Sequence, residues 1–285
     1  MNTLITMTGA DSMLTNPEHF IAIDIDGTLY DDHDHYNVQR FNHDIKALAD
    51  NNIQLIVATG NSYDAVQFIF QDSPAVDTFV AENGGRVIVN GKTVIAQVHQ
   101  PEILRRLLSF IKVQNLNPDL LSLSGATATH IAARFRSVPV PFYPHHDYFD
   151  SLSDIDEPIY NLNINWFQQR PALEQVLAVA DQINQQFASE VKATYSGAYG
   201  IDILPAHVNK ARGLSKLISN YYHQSLEVVT AFGDSSNDLE MIKEVGTGVA
   251  MLNATSDLKA EADQITRLDN NHDGLLDAIE EMFLN

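Results

Sequence analysis

The sequence predicts an α/β protein: a doubly wound, parallel-sheet core into which a smaller α+β unit is inserted. Apolar, strand-like runs alternate with helix-period patterns over residues 1–85 and again over 197–285, as crossover helices between parallel strands require. Several runs end in polar turns, where open α/β sheets collect their ligands. After Gly85 the pattern changes to a hairpin, and residues 86–196 read as the inserted unit.

Each element has its own signal. A strand over 20–25 precedes a helix whose apolar positions are Phe41, Ile45 and Leu48, spaced to share one face. A strand over 53–59 opens at Gly60-Asn61-Ser62 into a helix reaching Phe70. The short run 78–81 stops at Glu82-Asn83-Gly84-Gly85. Asn90-Gly91 between 87–89 and 93–96 is a strong hairpin turn. The inserted unit continues with a helix over 101–113, a strand over 128–135, loops over 139–144 and 147–157, a strand over 160–166, a helix over 171–187 and strands near 191–195 and 200–204. A helix then runs from Lys210 to about Tyr222, a buried strand covers 226–232, and a helix follows to Val245. A strand over 247–251, a helix over 256–262, Ile265 and a helix from Gly274 close the chain, with residues 1–18 as an extension ahead of the core.

Composition narrows the function classes. A length of 285 residues suits about two domains. With no cysteine there are no disulfides, thiolate metal sites or cysteine nucleophiles. A net charge of −20, without any Lys/Arg cluster, argues against nucleic-acid binding. No apolar run reaches membrane-spanning length, so a soluble cytoplasmic protein, monomer or small homo-oligomer, is expected. An anionic substrate would need local positive charge from a metal ion, a lysine or backbone amides.

Four segments could supply chemistry. Asp24 and Asp26 lie two apart at the end of the first strand, on the same side of it, and Gly27 lets the chain turn away directly afterwards. Two such carboxylates can divide labour, one ionised and one protonated, or can be a solvated turn. Thr59 and Gly60 stand at a strand-to-helix junction, either as a phosphate seat or with Thr59 or Ser62 as helix cap. Lys210 enters a helix whose amino end is already partly positive, so either an anion faces it or it is solvated. The turn Gly233-Asp234-Ser235-Ser236-Asn237-Asp238 again follows a buried strand, and reads as an oxygen-rich Mg²⁺ seat or as a helix cap.

Taken in order, these segments resemble the haloacid dehalogenase superfamily, closest to its Cof-type branch. Asp24-Ile25-Asp26-Gly27-Thr28, Thr59-Gly60, Lys210 and 233–238 correspond to the four motifs of that family, and Glu82-Asn83-Gly84-Gly85 to the turn before its cap. The resemblance implies a Rossmann-like core with an α/β cap, and a Mg²⁺-dependent phosphatase acting on a small phosphorylated metabolite. Sugar phosphates lead, ahead of pyridoxal phosphate or flavin mononucleotide. It implies Asp24 as nucleophile, Asp26 as general acid/base, Thr59, Gly60 and Asn237 holding phosphate, and Lys210 balancing charge. Mg²⁺ would sit on Asp24, Asp234 and the backbone carbonyl of Asp26, with Asp238 orienting Lys210 or a metal-bound water. This chain departs from the branch in having Asn61 where arginine is common, and Ala211-Arg212-Gly213 where glycine usually follows the lysine directly.

Alternatives are a phosphotransferase or mutase, and a non-hydrolytic phosphate sensor. Residues 269–280 have the spacing of an EF-hand calcium loop, but the preceding 263–268 read as strand and turn rather than helix. The histidine-rich segments 31–35 and 145–147 read as solvated loops, with binding of a metal or substrate as the alternative.

Overall fold

The computed structural model describes residues 16–114, 116–140, 143, 145–168, 171–196 and 200–285. They form two compact units, one of residues 16–61, Ile69–Ile95 and Asn209–Asn285, the other of Ser62–Phe68 and Ala96–Val208. Most of the expected extension, residues 1–15, lies outside the described residues, as do 141, 142 and 144 of the expected proline-rich loop.

The first unit is built on β1 (His19–Ile23), β2 (Ile53–Ala58), β3 (Thr78–Ala81), β4 (Arg86–Val89) and β5 (Lys92–Ala96), then β12 (Val229–Gly233), β13 (Thr247–Ala250) and β14 (Gln264–Ile265). Their order is β14-β13-β12-β1-β2-β3-β4-β5. All pairs from β14 to β3 are parallel, and β4 turns antiparallel to β3. The chain winds from β1 outward through β2 and β3, then returns on the other edge of β1 as β12, so the switch point lies between β1 and β12. Phe20–Ile23 are wholly buried, as a central strand covered on both faces must be. Helix α1 (Val38–Asp50) buries Phe41, Ile45 and Leu48, the face its periodicity predicts.

The second unit carries a six-stranded sheet ordered β10-β11-β9-β6-β7-β8. Its strands are β6 (Leu120–Ser124), β7 (Thr129–Ala132), β8 (His146–Phe149), β9 (Asn161–Asn165), β10 (Val191–Tyr195) and β11 (Gly200–Pro205). Helices α3 (Pro101–Val113) and α4 (Leu173–Gln186) share a core with Leu121, Leu123, Leu162, Ile164, Ile201 and Ile203 from one sheet face. On the opposite face Ser122 and Ser124 pair with Asn163 and Asn161, and Asp202 with Asn163, beside a small apolar cluster of Leu120, Ile131 and Val140. The side-chain carbonyl oxygens of Asn161, Asn163 and Asn165 are buried there without a hydrogen-bond partner among the described residues.

Three sequence expectations need correction. Both unit boundaries fall about ten residues later than 86 and 196, because β4 and β5 extend the parallel sheet while β11 pairs with β9 and β10. Strand β6 was not anticipated, since burial on both faces of its Leu-Leu-Ser-Leu-Ser run removes the usual contrast of exposed and buried positions. Strand β8 runs into the start of the expected loop 147–157; it is a polar edge strand that exists by pairing with β7. In addition, residues Leu226–Val228 form a turn capped by Ser225, so β12 starts three residues late.

Asp44 on α1 is buried, and neither carboxylate oxygen has a hydrogen-bond partner among the described residues. Burial raises its pKa to about 6, with Glu280 adding to the rise and Arg40 and His43 opposing it. A folded pKa above the unfolded one gives a contribution that is complete below about pH 4 and lost as pH rises through about 6. Asp44→Asn is therefore expected to stabilise the protein near pH 8 by about 2 kcal/mol and to lose that advantage near pH 4.5. Thermal denaturation at the two pH values checks this.

Candidate active site

The carboxyl ends of β1, β2 and β12 open on one side of the switch point. Asp24, the first residue beyond β1, donates its backbone N–H to Phe232 O on β12 at 3.1 Å. Gly27 has φ +77°, and a Cβ placed there would lie 2.5 Å from Asp234 Oδ2. Glycine thus allows the turn after β1 and the turn after β12 to share one space.

Lys210 is fully buried at the start of α5 (Lys210–Lys216), where Asn209 caps the helix by accepting from Arg212 N at 2.8 Å. Its Nζ donates to Asp24 Oδ1 and to Asp238 Oδ1, each at 2.7 Å. The solvated reading of this lysine is excluded, and the anions its helix position calls for are these two carboxylates. Asp238 is itself folded back, its Oδ2 accepting from Asp234 N at 3.1 Å and Ser235 N at 3.2 Å. Gly233 leaves room for this, since a Cβ there would lie 2.6 Å from Asp238 Cβ. The turn before α6 (Leu239–Glu244) is therefore both a capping turn and part of the ion cluster.

The glycines at 84 and 213 place the lysine. Gly84 has φ +93°, and a Cβ there would meet Asn209 O at 2.2 Å, while one on Gly213 would meet Gly84 Cα at 2.6 Å. The turn after β3 thereby packs backbone to backbone on the first turn of α5. Glycine three residues after Lys210, rather than adjacent to it, makes this contact.

Electrostatics in the cluster follow from burial. Burial, then Asp238, raises the Asp24 pKa well above the carboxylate range, against the pull of Lys210. Burial pushes the Lys210 ammonium down, but Asp238 and Asp24 outweigh it and hold it charged. Asp234 is raised to about 6 by burial and by Asp238. Asp26 keeps an exposed edge while the protein strips water from the rest of the carboxylate; this raises its pKa against Lys210 and Asn61. Four carboxylates face one ammonium, which leaves an excess of negative charge.

Thr59, fully buried, accepts at Oγ1 from Asn61 N at 3.1 Å and Asn61 Nδ2 at 3.2 Å. It does not cap α2 (Tyr63–Ile69); Ser62 does, accepting from Ala65 N at 3.3 Å. Asn61 Nδ2 also donates to Asp26 Oδ2 at 3.1 Å. Gly60 lies against the side chain of Asn83, with 3.2 Å from a placed Cβ to Asn83 Nδ2. Asn237 is exposed, its Oδ1 accepting from Ser235 Oγ at 2.8 Å, so the structure does not draw it into the lysine cluster.

Sequence reasoning assigned no role to Asn61, Asn253 or Asn270. Asn253 donates to Gly27 O at 2.7 Å and accepts from Asn270 N at 3.1 Å, while Asn270 donates to Tyr30 O at 3.0 Å. The final turn is thus a brace for the turn that carries Asp26. In the EF-hand-like segment, Glu280 forms a two-pronged ion pair with Arg40 (2.7 and 2.8 Å), and Asp273 accepts from Asn37 at 3.1 Å. These carboxylates are committed to protein cations and amides, and β14 occupies the place of the helix an EF-hand requires. In the loop after β1, Asp31 accepts the backbone N–H groups of His33 and His35, and His146 Nδ1 pairs with Tyr143 O.

Ligand oxygens of Asp24, Asp234 and Asp238 lie within 4.8 Å of one another. Asp238 is saturated by Lys210 and two amides, which leaves Asp24 and Asp234 as the pair that fits a hard cation. Asp234 Oδ1 is buried without a hydrogen-bond partner among the described residues, an acceptor that a cation would satisfy. The donor set is all oxygen, as Mg²⁺ prefers.

Fold and site together define a doubly wound α/β protein that gathers four acidic side chains and one buried lysine at its switch point. The chain belongs to the haloacid dehalogenase-like hydrolases, whose family pattern matches residues 21–279. It is 27% identical over 270 residues to the 5-amino-6-(5-phospho-D-ribitylamino)uracil phosphatase YbjI of Escherichia coli, covering 92% of this chain and 95% of that one. It is 28% identical over 247 residues to the HMP-PP phosphatase of Yersinia pseudotuberculosis, covering 86% and 87%. Among solved structures, SMU.1108c from Streptococcus mutans superposes with a TM-score of 0.81 at 26% identity, covering 94% of this chain and 99% of that one. A haloacid dehalogenase-like hydrolase from Bacteroides thetaiotaomicron shares the fold at TM-score 0.77 and 23% identity, covering 93% and 99%. The expectation of a phosphatase agrees with the family and with the names of these two relatives. Among the described residues no helix is long and apolar enough to cross a membrane.

Proposed function

We propose that the protein is a Mg²⁺-dependent phosphomonoester hydrolase that works through an aspartyl phosphate on Asp24. The observation that carries this reading is the buried Lys210 joining Asp24 to Asp238 at the strand ends that also present Asp26 and Asp234. An Asp24 oxygen attacks phosphorus in line as the ester bond breaks, and Asp26 gives its proton to the departing oxygen. Asp26, now ionised, takes a proton from water, which attacks the aspartyl phosphate and releases phosphate. Thr59 Oγ1 already accepts from Asn61, which turns its own O–H outward to a phosphoryl oxygen; the Asn237 amide supplies another donor. Lys210 balances charge gathering on Asp24 and the phosphoryl group, and Asp238 holds the ammonium in place. Mg²⁺, held by Asp24, Asp234 and the backbone carbonyl of Asp26, would add charge neutralisation of the phosphate.

Phosphate esters of sugars and polyols are the substrate class best supported. The ribityl phosphate in the name of the Escherichia coli relative belongs to this class. We assign the inserted unit the role of a cap that selects the leaving group.

Phosphate release from a panel of phosphomonoesters is expected with Mg²⁺, strongest on sugar and polyol phosphates. Chelation by EDTA is expected to abolish it and added Mg²⁺ to restore it. Absence of release across the panel with Mg²⁺ would refute the hydrolase, and transfer to added sugars without release would identify a transferase.

A further inference from the structure

Asn61 ends the Thr59-Gly60 segment without a role of its own in it, yet its side chain reaches both Thr59 and Asp26. Its Nδ2 donates to Asp26 Oδ2 at 3.1 Å and to Thr59 Oγ1 at 3.2 Å. The residue is anchored at three further points, since its N–H donates to Thr59 Oγ1 at 3.1 Å, its carbonyl accepts from Glu82 N at 3.0 Å, and Gly60 before it packs against Asn83. Asp26 Oδ2 and a twice-bonded hydroxyl oxygen both accept here, so the amide presents its nitrogen and spends its two N–H groups on them.

We propose that Asn61 is a positioning residue that fixes which oxygen of Asp26 delivers the proton to the leaving group. In a protonated carboxyl the carbonyl oxygen is the better acceptor of an amide N–H, so the bond at Oδ2 favours the transferable proton on Oδ1. As the phosphorus–oxygen ester bond breaks, its electron pair stays on the departing oxygen, and the Oδ1 proton moves to that oxygen. Asp26 is left as a carboxylate, whose new charge the same amide stabilises. Through the shared nitrogen, the geometry of proton delivery is tied to the Thr59 hydroxyl that grips the phosphoryl group. Asparagine can serve this role where an arginine, longer and charged, would pair differently with the carboxylate.

This inference rests on the phosphatase reading and predicts a leaving-group signature. An alkoxide needs a proton to depart, whereas p-nitrophenolate leaves without one. In Asn61→Ala, kcat/KM for a sugar or polyol phosphate should fall about 10- to 100-fold, and at least about tenfold more than for p-nitrophenyl phosphate, whose smaller loss reports the contact with Thr59 alone. Asn61→Asp keeps the shape but removes the donor, and should show the same selective loss. In an Asp26→Asn background, Asn61→Ala should add little further loss on the alkyl ester, because the two residues act as one unit. Equal losses on both ester types, or full additivity with Asp26→Asn, would overturn the role of Asn61 while leaving the phosphatase reading intact. No turnover of either ester by the unaltered enzyme with Mg²⁺ would instead overturn both.

Discussion

Asp24→Asn is expected to lower phosphate release by at least about a thousandfold on every ester, aryl and alkyl alike, because no leaving group compensates for a missing nucleophile. The shape of the site should survive, since an asparagine oxygen still accepts from Lys210 at the position Asp24 Oδ1 now holds. Circular dichroism and thermal denaturation should show a folded protein. The companion change, Asp26→Asn, should behave differently: Asp24 can still attack a good leaving group, but no base then activates water. Phosphate should accumulate on the protein with p-nitrophenyl phosphate, detectable as added phosphoryl mass by intact mass spectrometry. Normal turnover in Asp24→Asn would end the covalent mechanism, and normal turnover in Asp26→Asn would end the division of labour between the two acids.

Lys210→Met carries the second large effect, on stability as well as rate. The side chain is about the same length, but Asp24 and Asp238 lose the charge they share, in a site where both are buried. Breaking a buried pair by removing one partner costs about 3–5 kcal/mol. The deficit has a definite sign with pH. Without the ammonium, the folded pKa of Asp24 rises further above the unfolded one, so its contribution is lost as pH rises and recovered as it protonates. The variant should therefore be most destabilised near pH 8 and regain ground towards about pH 5, measured by denaturant titration. Its phosphate release should fall roughly 100- to 1,000-fold, the scale of losing one preorganised charge-stabilising group. Unchanged stability at both pH values would mean that the lysine does not hold the cluster together.

Both expectations start from residues legible in the chain. Asp24, Asp26, Thr59, Lys210, Asp234 and Asp238 could be picked out because each follows a strand or opens a helix in a repeating α/β pattern. That pattern is local, set by apolar spacing and turn residues. The parallel sheet was legible for the same reason. Strands β6 and β8 were not: one is buried on both faces and the other is a polar edge, so neither shows the alternation that marks a half-exposed strand. The unit boundaries were misjudged because strand pairing, not composition, decides which sheet a segment joins.

By itself the sequence determined the fold class, the family and the order of chemistry-bearing segments, since these depend on periodicity and short spacing. Only the tertiary structure decided the alternatives left open by each segment. It buried Lys210 between Asp24 and Asp238, gave the helix cap to Ser62 rather than Thr59, and committed Glu280 to Arg40 instead of an ion. It also placed Asn61 on Asp26, a contact across 35 positions. The physical reason is common: a side chain's protonation, donor or ligand role depends on what surrounds it, and for all but the Ser62 cap those neighbours come from distant parts of the chain.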